Sequence, residues 1–283
     1  MNTEVTLILL AHKSRELVLD YIKNIYSKFK IIVIDNSNDT NLKNLLKQNY
    51  PLIDIYLINN NGYGNAANYG SRLVNTKYFL ISNPDVKGII DSSLIKFVKA
   101  ANKLNNQFSA LGPRYLNANP KSLKQSQTDK DISELRFLSG ACMFFNKKNF
   151  DQIGGFDENI FLYFEENDYC KRSKKFFKNY QINNVEVVHD AGNSVSLKND
   201  KEVQDQRDLR SWHFVWSKFY YYKKNYNFIF AIVLFIPILV RTSLKTYYYL
   251  IKKDKINYLK YKNRLSGIIC SVMGQKSYKR SRF

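Results

Sequence analysis

The first half of the chain alternates short β-rich runs with longer stretches of helical periodicity, and this alternation limits the fold more than any other feature. The helical stretches include RELVLDYIKNIYSKF and NLKNLLKQNY. The strand-like runs are VTLILLA from Val5, IIVID from Ile31, IDIYLI from Ile53 and YFLIS from Tyr78. Such alternation predicts an α/β fold in which helices wrap a mostly parallel sheet.

Polar, turn-forming residues follow each of the four predicted strands. They are His12-Lys13-Ser14, Asp35-Asn36-Ser37, the stretch from Asn59 to Gly64, and Asn83-Pro84-Asp85. Open α/β sheets bind ligands outside the carboxyl ends of their strands, where loops and helix N-termini converge. The sequence therefore predicts a ligand site along one edge of the sheet.

Two of these loops carry a carboxylate with more than one possible use. Asp85 follows Pro84, which ends strand pairing, and it is either a turn residue or a ligand of a divalent cation such as Mg²⁺. Asp35 either forms an Asx-turn with the residues after it or accepts a hydrogen bond from a nucleotide. The glycines of NNNGYGNAANYG do not match the dinucleotide fingerprint, which argues against a Rossmann dehydrogenase.

A second block, residues 137–190, is rich in chemically active side chains. Its segment 165–177 has helical spacing, and Glu165, Glu166 and Asp168 occupy the first turn. The helix dipole alone would favour carboxylates there, but the preceding aromatic run IFLYF also suits a partly buried general base. His189 ends the short strand VEVVH and is either a core histidine or a ligand.

The region from Trp212 to the end is unlike the rest in charge and composition. It holds fifteen of the 44 Lys and Arg residues, one acid, Asp254, and ten of the 21 tyrosines, so most of the net charge of +20 lies there. The apolar run Phe228 to Val240 is thirteen residues long, shorter than the roughly 20 needed to cross a bilayer. We expect residues 1–211 to form the α/β domain and 212–283 a tail that dips into one membrane leaflet.

The tail allows two other interpretations. A core helix packed on the sheet would also suit the length of the apolar run. A basic, tyrosine-rich segment can hold the phosphates and stack on the bases of a nucleic acid, although the apolar run fits that poorly. The three cysteines, Cys142, Cys170 and Cys270, are widely spaced and favour a reducing compartment. The N-terminus lacks a basic region before its first apolar run, so we expect no secretory signal.

Six motifs in order make the first 200 or so residues similar to family 2 glycosyltransferases of the GT-A fold, and more narrowly to their rhamnosyltransferase-like branch. The first two are Ile34-Asp35-Asn36 and the loop from Asn60 to Gly70. The others are Asn83-Pro84-Asp85, Gly112-Pro113-Arg114, Ser139-Gly140-Ala141 and Gly154 to Asp168, and His189 to Ser194 then matches an H-x-x-G-x-S element.

The resemblance implies a role for individual residues. Glu166 would be the catalytic base, and Asp85 with His189 would bind Mg²⁺ or Mn²⁺. Asp35 would read the nucleobase. Asn83 replaces the first acid of the usual D-x-D metal motif. The implied nucleotide-sugar ligands are Asp35, Asn36, Asn60, Gly62, Asn68, Asn83, Asp85 and Gly140.

The activity implied is inverting transfer of a sugar from a nucleotide-sugar, with dTDP-rhamnose as one candidate donor, to an acceptor hydroxyl. The acceptor would be a polyprenyl-diphosphate-linked saccharide on the cytoplasmic face of the cell membrane, where the tail would meet an anionic surface. Nucleic acid is not an expected partner. A basic nucleic-acid-binding protein and a catalytically inactive scaffold of the same fold are the alternatives.

Overall fold

The computed structural model describes residues 2–26, 29–119, 124–126, 128, 130–190, 192, 195, 197 and 199–281. The strands are β1 Asn2–Ala11, β2 Phe29–Asp35, β3 Ile53–Leu57, β4 Tyr78–Ser82, β5 Val86–Lys87, β6 Ala110–Tyr115, β7 Ile132–Leu135, β8 Cys142–Asn146 and β9 Asn179–His189. The helices are α1 Arg15–Lys23, α2 Thr40–Asn49, α3 Tyr63–Arg72, α4 Asp91–Lys103, α5 Lys147–Ile153, α6 Glu165–Ser173, α7 Asp200–Asn225, α8 Phe228–Ile251 and α9 Lys255–Val272.

The strands form one sheet in the order β3-β2-β1-β4-β8-β6-β9-β5, with β7 paired to β9. The first four strands are parallel to one another, as predicted. Beyond β4 the sheet is mixed, because β8 runs antiparallel to both β4 and β6 while β6 and β9 are parallel. The α/β class is confirmed, and its parallel part is the half that carries the predicted ligand edge.

Both faces of the sheet are covered, which explains why β1 is apolar at six of the seven positions from Val5 to Ala11. Leu7 and Leu9 belong to a core cluster with helices α1, α2 and α4, and Ile8 and Leu10 belong to another with α3, α5 and α6. A strand buried on both faces loses the alternation of polar and apolar residues seen in half-exposed strands. The cores therefore hold the strand ends at fixed positions.

The described residues divide into two compact units. The first comprises Met1–Phe156 and Tyr169–Ser196, and the second comprises Asp157–Asp168 and Leu197–Phe283. The boundary expected after residue 211 falls inside α7, because that helix is 26 residues long and begins at Asp200. The second unit also takes in a short segment from the middle of the chain that includes Glu166.

Three helices, α7, α8 and α9, make up most of the second unit. Phe219 and Phe235 form a core with Ile268, and Trp212 and Trp216 stack on α7 with their ring planes 13° apart. A side chain at Gly267 would come within 2.5 Å of the Trp212 carbonyl oxygen. Glycine at that position is therefore what lets α7 and α9 approach so closely.

Helix α8 extends well beyond the thirteen-residue apolar run from which it was predicted. It has 24 residues, and its most apolar 18-residue window has a mean hydropathy of 2.0 with 17% of that window buried. By length and composition alone it is the one helix among the described residues that could cross a membrane. Its large exposed side chains include Ile229, Val233 and Ile236.

Candidate active site

A chain of side-chain hydrogen bonds joins the carboxyl ends of the first three strands. The Nδ1 atom of His12 lies 2.8 Å from Oδ1 of Asn36, and Nδ2 of Asn36 donates to Oδ1 of Asn60 at 3.2 Å. The same Asn60 oxygen accepts from the amide of Gly62 at 3.3 Å. Burial lowers the pKa of His12 below its usual value, with partial compensation by the Asn36 hydrogen bond. The predicted residues Asn36, Asn60 and Gly62 thus lie together, as expected for parallel strands.

Asp35 lies at the same edge, and its side chain hydrogen-bonds to the loop that follows it. Its carboxylate accepts hydrogen bonds from the Ser37 hydroxyl at 2.6 Å, the Ser37 amide at 3.3 Å and the Asp39 amide at 2.8 Å. This is the Asx-turn arrangement, and the side chain is almost fully buried. The turn role is therefore present, and recognition of a nucleobase by Asp35 stays a prediction.

Helix α3 begins at this edge directly after Gly62. Gly62 has a φ of +104°, a conformation that residues with a side chain rarely adopt. The first turn of α3 contains no acidic residue. A helix N-terminus presents backbone N–H groups and the positive end of the helix dipole, which together favour phosphate.

The pairing of β5 with β9 brings Asp85 next to His189. Val86 is directly opposite His189 in this antiparallel pair, and the Asp190 amide donates to the Asp85 carbonyl oxygen at 3.2 Å. Asn117 fixes the His189 backbone from the other side, donating to its carbonyl and accepting from its amide. Of the matching H-x-x-G-x-S element, Ser194 lies outside the described residues.

The Asp85 carboxylate is buried without a hydrogen-bond partner among the described residues. The residue is 1% exposed, and neither carboxylate oxygen accepts a hydrogen bond. Its nearest polar contact is Nε2 of His189, 3.4 Å from Oδ2. A buried carboxylate is costly unless it is paired, hydrogen-bonded or bound to a metal. The arrangement thus leaves a strong unused acceptor beside an imidazole nitrogen.

These two side chains fit a divalent cation such as Mg²⁺ or Mn²⁺. The described residues contain no cluster of three or more His, Cys, Asp and Glu side chains suited to a metal. Mg²⁺ typically binds through one or two carboxylates and completes its shell with water and substrate phosphate oxygens. An imidazole is a softer ligand than a carboxylate and fits Mn²⁺ better than Mg²⁺. A cation at Asp85 would therefore depend on a phosphate ligand.

Asn83 and Gly140 lie at the same edge of the sheet. The Asn83 amide donates to the Ala141 carbonyl at 2.8 Å, continuing the β4–β8 pairing in which Ser82 is opposite Cys142. The Tyr63 hydroxyl donates to the Gly140 carbonyl oxygen. The loop before β8 is therefore tied both to the Asn-Pro-Asp turn and to the start of α3.

Asn68 is placed differently from the other predicted nucleotide ligands. Its amide nitrogen donates to the Phe156 carbonyl and its amide oxygen accepts from the Phe156 amide, both at 2.9 Å. A Cβ atom at Gly155 would lie 2.7 Å from that oxygen. These contacts give Asn68 a structural role in holding the Gly-Gly-Phe loop, and its contact with the nucleotide stays a prediction.

The three carboxylates of α6 differ in their surroundings. Asp168 is fully buried, and its two oxygens accept from Lys224 and Asn225, each at 2.9 Å. Lys224 also donates to Asp157 at 2.7 Å. Glu165 is 3% exposed, whereas Glu166 is more accessible to solvent. Both oxygens of Asp168 are thus occupied by structural hydrogen bonds. Glu166 is therefore the better candidate base in that turn.

The segment that leads into α6 has an unusual backbone. Tyr163 and Phe164 have φ values of +69° and +73°, in the left-handed region that aromatic residues seldom occupy. Their rings contact Phe214 of α7 at centroid distances of 5.7 and 5.9 Å. Packing within the second unit therefore holds the strained turn directly before Glu165 and Glu166. Such strain is most frequent at functional sites.

Sequence reasoning missed three residues that contact predicted site residues, His12 and Tyr63 in the first unit and Lys224 in the second. His12 directly follows the first strand and could have been included from its position. Tyr63 and Lys224 gave no comparable signal, because an aromatic residue at a helix start and one lysine among many in a basic tail are ordinary features. Their partners, Gly140 and Asp168, are distant in sequence.

Comparison with known proteins agrees with this geometry. The family model described as glycosyl transferase family 2 matches residues 10–157, more than half of the chain. The low-salt glycan biosynthesis hexosyltransferase Agl10 of Haloferax volcanii is 26% identical over 217 residues, which are 66% of this chain and 66% of that protein. The chain thus spans just under two thirds of the length of this curated relative.

Solved structures of low sequence identity share the fold. The mannosyltransferase PcManGT from Pyrobaculum calidifontis, in complex with GDP-Man and Mn²⁺, superposes with a TM-score of 0.57 at 13% identity, covering 97% of this chain and 88% of that one. S. aureus TarS residues 1–349, in complex with UDP-GlcNAc, give a TM-score of 0.51 at 13% identity over 98% and 93% of the two chains. The GT-A fold is confirmed, and the family match identifies this chain as a member of glycosyl transferase family 2.

Proposed function

We propose that this protein is an inverting glycosyltransferase that moves a sugar from a nucleoside-diphosphate sugar to an acceptor hydroxyl. The observation that carries the proposal is the Asp85 carboxylate, buried without a hydrogen-bond partner in the described structure and 3.4 Å from His189 at the ligand edge of the sheet. Burying such a carboxylate is costly, and a bound cation would offset that cost.

The donor fits this edge through its phosphates and its nucleoside. The N-terminus of α3, which follows Gly62, suits a diphosphate. The amides of Asn36 and Asn60 can hydrogen-bond a base or ribose, and Asp35 retains acceptor capacity beyond its turn. The relatives with GDP-Man or UDP-GlcNAc support a nucleoside-diphosphate sugar as the donor class. The branch resemblance makes dTDP-rhamnose the first donor to test.

Asp85 and His189 would hold the Mg²⁺ or Mn²⁺ of this reaction. When bound, the cation offsets the negative charge that develops on the departing nucleoside diphosphate. Asp85 supplies the anionic ligand, and the β5–β9 pairing with the Asn117 contacts fixes His189 beside it. Contacts within the protein hold the backbone of both residues, which would reduce the ordering cost of binding.

Glu166 would take the proton from the acceptor hydroxyl as that oxygen attacks the anomeric carbon. Asp168, its neighbour in the same turn, is held by Lys224 and Asn225. A single displacement of this kind inverts the anomeric configuration, and general base catalysis contributes typically 10²–10⁴-fold.

We assign the protein to the cytoplasmic face of the cell membrane, with a polyprenyl-diphosphate-linked saccharide as acceptor. The apolar part of α8 from Phe228 to Val240 is about 20 Å long at 1.5 Å per residue, less than the roughly 30 Å of a bilayer core. Arg241 and Lys245 follow in the same helix. This pattern favours insertion of the apolar half into one leaflet, with the cations facing anionic head groups.

The test is release of nucleoside diphosphate over a panel of nucleotide-sugars, with and without a lipid-linked saccharide acceptor and Mn²⁺. We expect one donor class to give release that depends on the acceptor and inversion at the anomeric carbon of the product. Binding of no donor by the well-folded protein would instead identify a catalytically inactive scaffold.

A further inference from the structure

A cavity of about 340 Å³ lies between the three long helices of the second unit. Each helix contributes one cation to its wall, namely Lys218 from α7, Arg241 from α8 and Arg264 from α9. Apolar side chains, including Phe235, complete the wall. We call this feature the cationic pocket.

The positive charge of the cationic pocket is not balanced by acids. Its lining contains no Asp or Glu, and no carboxylate of the described residues forms an ion pair within 4 Å with Lys218, Arg241 or Arg264. Burial, and then the nearby charge of Arg264, lower the pKa of Lys218 below its usual value. Three cations facing one partly desolvated space repel one another, and an anion with more than one charge would relieve that repulsion.

The same helix that supplies Arg241 has an exposed apolar face. Ile229, Val233 and Ile236 are 75%, 62% and 54% exposed. A ligand that fits both features has an anionic head and a long hydrocarbon chain. Guanidinium groups suit phosphate oxygens because they donate two parallel hydrogen bonds.

One wall of the cationic pocket contacts the segment that begins α6. Phe214 lines the pocket, and its ring is 5.7 Å from the ring of Tyr163 and 5.9 Å from that of Phe164. These two residues come directly before Glu165 and Glu166 in the chain. A molecule held in the pocket would therefore lie one layer of aromatic side chains from the turn that carries the proposed base.

We propose that the cationic pocket binds the phosphate or diphosphate head group of a lipid whose hydrocarbon chain lies along the exposed face of α8. This inference rests on the proposed function, because the lipid would be the carrier of the saccharide that the transferase uses as its acceptor. It adds the binding site of that carrier, built from Lys218, Arg241 and Arg264.

The test measures binding of the full chain to two sets of vesicles with equal surface charge, without donor or metal. One set carries a phosphate monoester lipid, phosphatidic acid, and the other carries phosphatidylserine, each in phosphatidylcholine. The variant is Arg264→Gln, and Lys262→Gln is the matched control because it removes the same charge from an exposed position of the same helix. Lys218→Gln provides a second pocket variant, and thermal melting verifies that each variant is folded.

The informative quantity is the ratio of the two affinities, because general attraction to an anionic surface affects both vesicle sets equally. The wild-type protein and Lys262→Gln should prefer phosphatidic acid to the same degree, and Arg264→Gln and Lys218→Gln should each lower that preference about tenfold. Equal ratios in all four proteins would overturn the proposal. Binding of inorganic pyrophosphate as tightly as the lipid would also overturn it. The same holds if duplex DNA displaces the wild-type protein from phosphatidic acid vesicles but does not displace the pocket variants.

Failure of this inference can be separated from failure of the proposed function. Vesicle binding is measured without donor, so it does not depend on catalysis. Donor turnover without a lipid preference would remove the pocket assignment alone. A lipid preference without turnover of any donor would instead remove the transferase assignment.

Discussion

Single residues at the sheet edge show how far local sequence determines a site. Asp35, Asn36 and Asn60 could be placed together because the ends of parallel strands share one edge. The contacts of Asn68 could not be predicted in this way, because its side chain hydrogen-bonds to the backbone of Phe156, 88 residues away. The sequence pattern identifies which residues are polar at a strand end, but tertiary contacts decide what each one touches.

Glu166→Gln tests the proposed base at this scale. The change keeps the size of the side chain and removes its ability to accept a proton, so the turnover rate should fall by about 10²–10⁴-fold while donor affinity stays nearly constant. Steady-state kinetics and donor titration measure the two quantities. The same change at exposed Glu186 is the control. Turnover close to wild type would transfer the role to another carboxylate, first of all Glu165.

At the scale of elements, the predicted strands end within one residue of the expected position, and the larger differences have physical causes. Strand β9 begins at Asn179, six residues before the predicted VEVVH, because it pairs with β6, β7 and β5 along its length. The antiparallel direction of β8 could not be predicted either, because the apolar sequence of a buried strand does not indicate the direction in which it runs. Helix α6 ends at Ser173, four residues short of the prediction.

Lys224 holds two elements of the second unit together, and Lys224→Met should show this. Its ammonium group contacts the buried carboxylates of Asp157 and Asp168. Removal of the cation takes from both carboxylates the charge of Lys224, while the hydrogen bonds from Tyr220 to Asp157 and from Asn225 to Asp168 stay. Since the lysine is 30% exposed and water can enter, we expect a loss of about 1–3 kcal/mol in the free energy of unfolding. Lys201→Met, at an exposed position of the same helix, should cost less than about 0.5 kcal/mol.

The loss in Lys224→Met should itself depend on pH. Burial would raise the pKa of Asp157, but the hydrogen bond from Lys224 lowers it below its usual value. A carboxyl group with a lowered pKa in the folded state stabilises the protein above its ordinary pKa, and this contribution disappears as the pH falls through the folded value. Denaturant unfolding of the two proteins should therefore differ at pH 7 and converge in acid. A pH-independent difference would contradict the ion-pair account.

His213 predicts a second, separate acid sensitivity. Burial lowers its pKa to about 4, and its ring contacts the Lys279 carbonyl at 2.8 Å and the Ser277 hydroxyl at 3.0 Å. The unfolded histidine binds a proton near pH 6.5 and the folded one does not, so stability should fall as the pH drops from about 6.5 to 4. With 1.36 kcal/mol per pKa unit, the loss is about 2–4 kcal/mol.

The measurement is the melting temperature as a function of pH for His213→Gln and for Ser277→Ala. The glutamine cannot titrate, so its curve should be flatter than the wild-type curve between pH 6.5 and 4. Ser277→Ala loses a hydrogen bond to the same ring but keeps the titrating group, so it should be less stable with an unchanged slope. Equal slopes in His213→Gln and wild type would show that another group controls this range.

At the scale of the whole molecule, the division of the chain changes how the tail can be studied. A chain ended near Ser211 would lose Tyr220, Lys224 and Asn225, the partners of Asp157 and Asp168. Composition located the basic, apolar region well, because charge and hydropathy are local properties. It could not reveal that the segment from Asp157 to Asp168 belongs to the same compact unit.

Substitutions on α8 therefore test membrane association better than truncation. Ile229→Gln, Val233→Gln and Ile236→Gln together change three exposed side chains, so the fold should persist. Burial of one such side chain in an apolar phase is worth about 1.5–3 kcal/mol, so binding to anionic vesicles at high salt should fall more than tenfold. Leu52→Gln with Leu116→Gln, also at exposed positions, is the control. If the triple variant still floats with vesicles at high salt, the exposed face of α8 is not the membrane anchor.

The central claim is that Asp85 and His189 form the metal-dependent donor site of a glycosyltransferase. Its most direct test is calorimetric titration of nucleoside diphosphate into wild type, Asp85→Asn and His189→Ala, each with Mn²⁺ and with EDTA, followed by turnover with the best donor. We expect Mn²⁺ to tighten nucleotide binding at least tenfold in wild type and far less in either variant, and EDTA to stop turnover. Equal binding in all three proteins, or full turnover in EDTA, would contradict the account.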